Sequence, residues 1–211
     1  QLRIDIAEFC NFSLDHLKPA VLPNVVDIDL FNCDDLDCLQ SDGSRQFLMC
    51  ANWAGIKRPF PIIRAFAKLD DEALELVVIG DGEYLPQMKQ LALDLNISSR
   101  VRFCGRQPKE VVSLEMKKSF AFLHSSEYET FSVVCAEALC CGCFVMASPS
   151  GAIGEYLEAD DGIFVEDGDW VKKMSEIIHV SPEQKISRSK KYVKQFSREN
   201  VGEKYKLILQ E

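Results

Sequence analysis

Short apolar runs rich in β-branched residues alternate along this chain with longer stretches of helical period, and that alternation restricts the fold more than any other feature. Phe47-Leu48-Met49-Cys50-Ala51, Leu74 to Ile79, Val101 to Gly105, Phe120 to Leu123, Cys143 to Ala147 and Gly162 to Val165 read as buried strands. Between them, Pro59 to Lys68 sets Ile62, Ile63, Phe66 and Ala67 on one helical face, and Glu83 to Leu95 repeats the period through Leu85, Met88, Leu91, Ala92 and Leu95. Pro108 to Lys118 and Phe131 to Leu139 read as further helices, the second closed by Gly142. Beyond Asp169 the period is helical, and the charge of Glu183 to Glu211 fits a solvated helix face. The first 40 residues are less regular: Ala20-Val21-Leu22-Pro23 reads as a strand and Cys33 to Arg45 as an exposed acidic loop.

Strands joined by crossover helices predict an α/β fold, a doubly wound parallel sheet with helices on both faces. Its ligand belongs beyond the carboxyl ends of the strands. With 211 residues and 47% hydrophobic content the chain can bury one substantial core. The expected division is a lead-in over 1–20, a Rossmann-like domain over 21–180 and a helical tail over 181–211.

Thirty-three acidic against 24 basic residues give a net charge of −9, which repels phosphate backbones and argues against a nucleic-acid partner. A small anion is still compatible, because a helix N-terminus or a single cation can override the mean field locally. The nine cysteines contain no CxxC pair and the three histidines are scattered, so reduced, mostly buried thiols in a cytoplasmic protein are expected, with no metal site. No apolar run approaches the ~20 residues of a membrane span, and Gln1-Leu2-Arg3-Ile4-Asp5 is no signal peptide. A start without Met fits a chain cut from something longer.

The segment Ser125-Ser126-Glu127-Tyr128-Glu129-Thr130-Phe131-Ser132-Val133-Val134-Cys135-Ala136-Glu137-Ala138-Leu139 holds the densest chemistry. Glu129 leaves a strand, and Glu137 lies about two turns into the following helix. The amides of Phe131, Ser132 and Val133 form the helix start between them, with unpaired donors and roughly half a positive charge suited to a diphosphate. An ionised glutamate beside such a site can accept hydrogen bonds from ribose or sugar hydroxyls. Two unrelated glutamates on a surface helix would give the same spacing.

This segment, with Gly142, Val145 and Ala147-Ser148, resembles the signature of the retaining GT-B glycosyltransferases of the family-4 type. Leu22-Pro23-Asn24-Val25-Val26-Asp27 through Phe31 is similar to the stretch that opens the family's second domain. Lys57, eight positions before Ala65-Phe66, matches its phosphate-binding lysine. Val78-Ile79-Gly80-Asp81-Gly82, Val101 to Gly105, Gly151-Ala152-Ile153-Gly154-Glu155 and Gly168-Asp169 align with later positions, so the likeness covers Val21 to Ile178.

The resemblance implies the donor-binding C-terminal domain of an enzyme that moves a sugar from a nucleotide diphosphate sugar to a glycan or lipid-linked acceptor, as in polysaccharide assembly. Glu129 would be catalytic, touching the donor sugar and stabilising charge at the reacting carbon. Glu137 would hold the ribose. The amides near Ser132 and Val133 with Lys57 would neutralise the diphosphate, Thr130, Phe131, Arg58, Asn52, Gly80 and Ser126 would also belong to the donor site, and backbone at Cys104 with Arg106 nearby would face the base. Neither metal nor other cofactor is needed in that scheme. Its partners would be the donor, an N-terminal acceptor domain that this chain is too short to contain, and a membrane surface for peripheral association of the full enzyme.

Where the family has an arginine five positions before Lys57, this chain has Asn52, whose amide cannot replace a guanidinium. Either Arg58 compensates or donor binding is weaker or differently arranged. The usual glycine and proline are also absent at Val26 and Phe144. Asn52 keeps open a non-catalytic sugar-nucleotide-binding or scaffold module. A Rossmann NAD-dependent oxidoreductase would read Gly80-Asp81-Gly82 as its phosphate turn, but Leu85 stands at the third glycine position. Asp27-Ile28-Asp29 is formally a metal-binding DxD triplet, though it precedes the main α/β run. His124 reads as a partly buried polar residue at a strand end rather than an acid or base.

Overall fold

The computed structural model describes residues 22–33, 45–177 and 181–210. In chain order the elements are β1 (Arg45–Cys50), α1 (Pro59–Phe66), β2 (Leu74–Ile79), α2 (Leu85–Asp94), β3 (Val101–Gly105), α3 (Lys109–Lys118), β4 (Ala121–His124), α4 (Val133–Cys140), β5 (Phe144–Ala147), β6 (Gly162–Phe164), α5 (Trp170–Glu176), α6 (Pro182–Phe196) and α7 (Arg198–Gln210). The six strands form one sheet, ordered β3-β2-β1-β4-β5-β6, and every pair is parallel. The expected doubly wound α/β sheet is therefore observed.

The strands are apolar at successive positions because both faces are covered. Phe47, Met49, Leu76, Val78 and Leu123 point to one side, where they pack with Ile62, Ile63 and Phe66 of α1, Met88 of α2 and Trp170 of α5. Leu48, Val77, Ile79, Phe122 and Val145 point to the other, against Met116 of α3, Cys135 and Leu139 of α4, and Tyr192 and Phe196 of α6. The period-two alternation of side chains thus feeds two separate helix layers.

Several boundaries differ from the sequence expectation. Leu22 and Pro23 belong to no strand, and Ala20 and Val21 lie outside the described residues, as does most of the predicted acidic loop. Among the described residues after Asp169 there are three helices, and the charge of the second is only partly solvated. Lys185 and Arg188 are 5% and 4% exposed. Lys185 Nζ donates to the carbonyls of Lys117, in the last turn of α3, and Ser119, just past it, and Arg188 Nη1 donates to Gly142 O, 2.9 Å away, just past α4. Both cations meet orphan carbonyls at a negative helix end, which is why helix charge here is buried. Asp161 pairs with Arg188 at 3.0 Å and completes the site. A buried cation needs such partners to offset desolvation.

Cys135, Cys140, Cys141 and Cys143 are buried free thiols, and Cys50 and Cys104 are half-buried ones. Burial pushes Cys135 and Cys140 up to about 12, far from a reactive thiolate. Cys10 and Cys38 lie outside the described residues.

Candidate functional site

The strand order reverses between β1 and β4, so the chain leaves their carboxyl ends toward opposite faces of the sheet. The two loops that start there carry the residues singled out in the sequence. They are also stitched to each other: Arg58 N donates to Ser125 O at 2.7 Å, Glu127 N donates to Ile56 O at 2.9 Å, and Lys57 bridges Ser126. Lys57 and Glu129, 72 residues apart, thereby share one edge.

Glycine is required where this edge is tightest. Gly80 and Gly82 follow β2 at φ +116° and +144°, and a Cβ on either would fall 1.8 Å from Ala51 O or 2.5 Å from Trp53 O. Those glycines press the β2 turn onto the loop after β1. Gly80 therefore shapes the site through backbone approach. Gly151 does the same for the β4 loop: at φ +59° its added Cβ would lie 1.6 Å from Glu129 O. Ala152 N then donates to Thr130 O at 3.1 Å, which fixes the loop from below.

Glu129 Oε1 accepts from Lys57 Nζ in a close ion pair and lies 2.9 Å from His124 Nε2. Burial pulls this carboxyl upward, but the hydrogen bonds of His124 and Lys57 outweigh it and hold the group down at about 2. His124 is 4% exposed. Its predicted burial is observed; its partner, the proposed catalytic carboxylate, was not legible in the sequence. The same Nε2 lies 3.3 Å from Ser132 Oγ, which in turn donates to Cys135 Sγ at 3.2 Å.

The helix starts two residues later than its period suggested. Ser132 is its N-cap and sits in the left-handed region, φ 61° and ψ 73°, so regular helix begins at Val133. A side chain at such a φ costs of order 1–3 kcal/mol unless its surroundings fix it. Tyr156 supplies part of that fixation, its hydroxyl lying 2.9 Å from Phe131 O and 3.1 Å from Ser132 O. Among the described residues nothing accepts a hydrogen bond from the amides of Phe131, Ser132, Val133 or Val134. Thr130 and Val133 are exposed and Phe131 half-buried, so the junction is open to one side.

Glu137, two turns along α4, is half-buried. Burial, opposed by Lys109 and reinforced by Asp27, raises its carboxyl to about 7. The two glutamates are thus driven in opposite directions, one fully ionised and one poised near neutrality. Asn52 is exposed in the loop after β1. Arg58 is drawn to Asp167 in an ion pair, away from the Lys57 and Glu129 pair.

Other candidates are placed less directly. Ser126 is fully buried and its hydroxyl donates to Tyr128 O at 2.9 Å, so it braces the loop from inside. Cys104 falls at a register shift between β2 and β3, and its carbonyl accepts from Gln107 Nε2 at 2.6 Å. Arg106 is exposed just beyond it. This end of β3 lies two strands from β1, roughly 10 Å away at ordinary strand spacing. Among the described residues no three His, Cys, Asp or Glu side chains gather as metal ligands, and no helix is long and apolar enough to cross a membrane.

A parallel sheet of this order, with its loops gathered at the switch between β1 and β4, defines a Rossmann-like domain of the GT-B glycosyltransferase fold. The chain belongs to the family "Glycosyl transferases group 1", whose profile matches residues 39–196. It is 29% identical over 168 residues to the N-acetyl-alpha-D-glucosaminyl L-malate synthase of Bacillus anthracis, covering 79% of this chain and 43% of that protein. It is 27% identical over 156 residues to the phosphatidylinositol N-acetylglucosaminyltransferase GPI3 subunit of Saccharomyces cerevisiae, covering 70% of this chain and 34% of the relative. The Anabaena Alr3699/HepE structure in complex with UDP and glucose superposes with a TM-score of 0.77 at 18% identity, over 90% of this chain and 56% of that one. The chain spans less than half the length of these two sequence relatives.

Proposed function

We propose that this chain is the donor-binding part of a retaining, metal-independent glycosyltransferase, and that it seats a nucleotide diphosphate sugar at the start of α4. The observation that carries this reading is the run of unpaired amides over Phe131–Val134, set between Glu129 and Glu137 and beside the ammonium of Lys57. An anion there gains from both the free N–H groups and the helix dipole. Lys57 has three donors and can reach the anion while still facing Glu129. Together they would neutralise the diphosphate leaving group, the largest electrostatic requirement of the transfer.

In this scheme Glu137 accepts from the ribose hydroxyls and Glu129 lies beside the reacting sugar, stabilising positive charge at its anomeric carbon. The base would extend toward the end of β3, beside Cys104 and Arg106. Gln107 already occupies the Cys104 carbonyl, so the base would need to displace it or use a neighbouring group. A second α/β domain supplies the acceptor site for a glycan or lipid-linked acceptor, and this chain alone binds donor without transferring it. The full enzyme works in the cytoplasm, associating peripherally with a membrane surface.

UDP is the first ligand to test, since the superposed Alr3699/HepE structure contains it and both sequence relatives are named for N-acetylglucosaminyl chemistry. Calorimetry with UDP, GDP, ADP and UDP-N-acetylglucosamine should show saturable binding of one nucleotide without added metal. A complete lack of binding by all four, or binding only with manganese, refutes the assignment.

Asn52 supports a second reading, a module that binds sugar nucleotides without catalysis, because a neutral amide stands where the resemblance expects an arginine and Arg58 is paired with Asp167. Transfer from a bound donor by the full-length protein separates the two, as a pure binding module gives none.

A further inference from the structure

We infer that Tyr156 is a positioning residue for the diphosphate site: its hydroxyl, held against the carbonyl of Phe131, turns the amide of Ser132 outward toward the ligand, beside the Val133 amide that the helix already directs. The inference rests on the donor-binding reading above for its functional consequence, but its geometric part stands without it.

The physical link is the planarity of the peptide bond. In a trans peptide the C=O of one residue and the N–H of the next point in opposite directions. Phe131 O lies 2.9 Å from the Tyr156 hydroxyl, so the N–H of Ser132 must point away from Tyr156. Ser132 O lies 3.1 Å from the same hydroxyl, the longer of its two contacts. Ser132 O also accepts from Cys135 N at 3.1 Å and Ala136 N at 3.3 Å, as the first carbonyl of α4, so the helix itself holds the Ser132–Val133 plane. Phe131 O has no backbone donor among the described residues, so Tyr156 alone holds that plane.

This support is needed because Ser132 is in the left-handed region and its side chain makes no hydrogen bond to the helix backbone. The Ser132 hydroxyl is turned instead to His124 and Cys135. Without an external donor, the Phe131–Ser132 peptide plane could rotate toward the commoner backbone regions, and the Ser132 amide would no longer converge with that of Val133.

Tyr156 is itself well fixed. It is 5% exposed, and its ring packs against Phe131 at 4.9 Å and edge-on to Phe196 at 5.4 Å. Phe196 closes α6, whose Tyr192 hydroxyl donates to Tyr156 O at 3.2 Å. Helix α6 therefore buttresses the site from behind. Removing only the phenolic oxygen leaves this aromatic packing in place, which makes Tyr156→Phe a clean probe.

The experiment has a ligand-free arm and a ligand arm, both on wild type and Tyr156→Phe. In the first, amide NMR of the free protein should show the Ser132 resonance displaced or broadened in Tyr156→Phe, with the rest of α4 and the sheet unchanged. An unperturbed Ser132 resonance overturns the inference, whatever the ligand. In the second, Tyr156→Phe should bind UDP about three- to tenfold more weakly, the effect of one lost hydrogen bond, while the affinity for uridine is unchanged. A merely structural defect would weaken both ligands equally, and that outcome, like equal UDP binding, overturns it. If wild type binds no UDP, the donor-binding reading fails while the first arm still decides whether Tyr156 orients the Ser132 amide. A Tyr156→Leu variant, which removes ring and hydroxyl together, should lose at least as much UDP affinity as Tyr156→Phe; a smaller loss also counts against the inference.

Discussion

Replacing Glu137 by Gln should stabilise the protein at pH 8 and weaken its hold on a nucleotide, two opposite effects with one electrostatic cause. Burial raises the Glu137 carboxyl from its ordinary 4.5 to about 7. The fold thus prefers the neutral side chain. Below about pH 4.5 the carboxyl is neutral in both folded and unfolded chains, and its ionisation has no effect on stability. Between about 4.5 and 7 the unfolded chain loses its proton first, so stability falls as pH rises, and above about 7 the penalty is complete. A shift of this size corresponds to at most about 3 kcal/mol, and the half-exposed position reduces it to about 1–2 kcal/mol. Glu137→Gln keeps the shape and removes the charge. Thermal or urea unfolding of wild type and variant should give equal stabilities at pH 4.5 and a widening gap in favour of the variant up to pH 8. The ligand acts in reverse: ribose hydroxyls donating to the carboxylate favour its charged form. UDP affinity of the wild type should therefore rise between pH 6 and 7.5, and calorimetry in buffers of different ionisation enthalpy should detect proton release near pH 7. Glu137→Ala should cost ~1–3 kcal/mol of binding. A stability gap independent of pH would refute the burial argument, and unchanged affinity in the alanine variant would remove Glu137 from the ribose site.

Three further outcomes are expected. Glu129→Gln should lose about 1–2 kcal/mol of stability at neutral pH, because the ionised carboxyl is bound to His124 and Lys57; the wild type holds that contribution above about pH 4.5 and loses it as pH falls toward 2, so acid unfolding curves of the two proteins should converge there. Gly151→Ala should destabilise by more than about 2 kcal/mol and displace the 125–132 loop, since its Cβ would overlap Glu129 O; a neutral effect in chemical denaturation would contradict the contact. Asn52→Arg should tighten UDP binding about tenfold by adding a guanidinium beside Lys57, with the gain shrinking at high salt, and an unchanged dissociation constant would show that position 52 does not face the diphosphate.

The order of strands and helices was legible because burial on both faces of a parallel sheet leaves continuous apolar runs, and covered helices leave a 3.6-residue period. The residues of the candidate site were legible through local pattern: Glu129 and Glu137 flank a helix start within one segment. Where local conformation departed from pattern, the reading slipped. Phe131 and Ser132 fit the helical period, yet the left-handed turn at Ser132 delays the helix to Val133. Lys185 and Arg188 look like solvent-facing charge, and only their meeting with the carbonyl ends of α3 and α4 explains their burial.

By itself the sequence determined the fold class and the family signature, because both are written in short-range spacing. The tertiary structure alone decided who partners whom. That Lys57 and His124 converge on Glu129, that Gly151 clears space for its backbone, and that Tyr156 reaches back to Phe131 are consequences of chain crossings between β1, β4 and β5. Such long-range contacts depend on strand order and loop packing, which no local period records. They are also what sets one glutamate near 2 and the other near 7, since a carboxyl's ionisation answers to its neighbours in space.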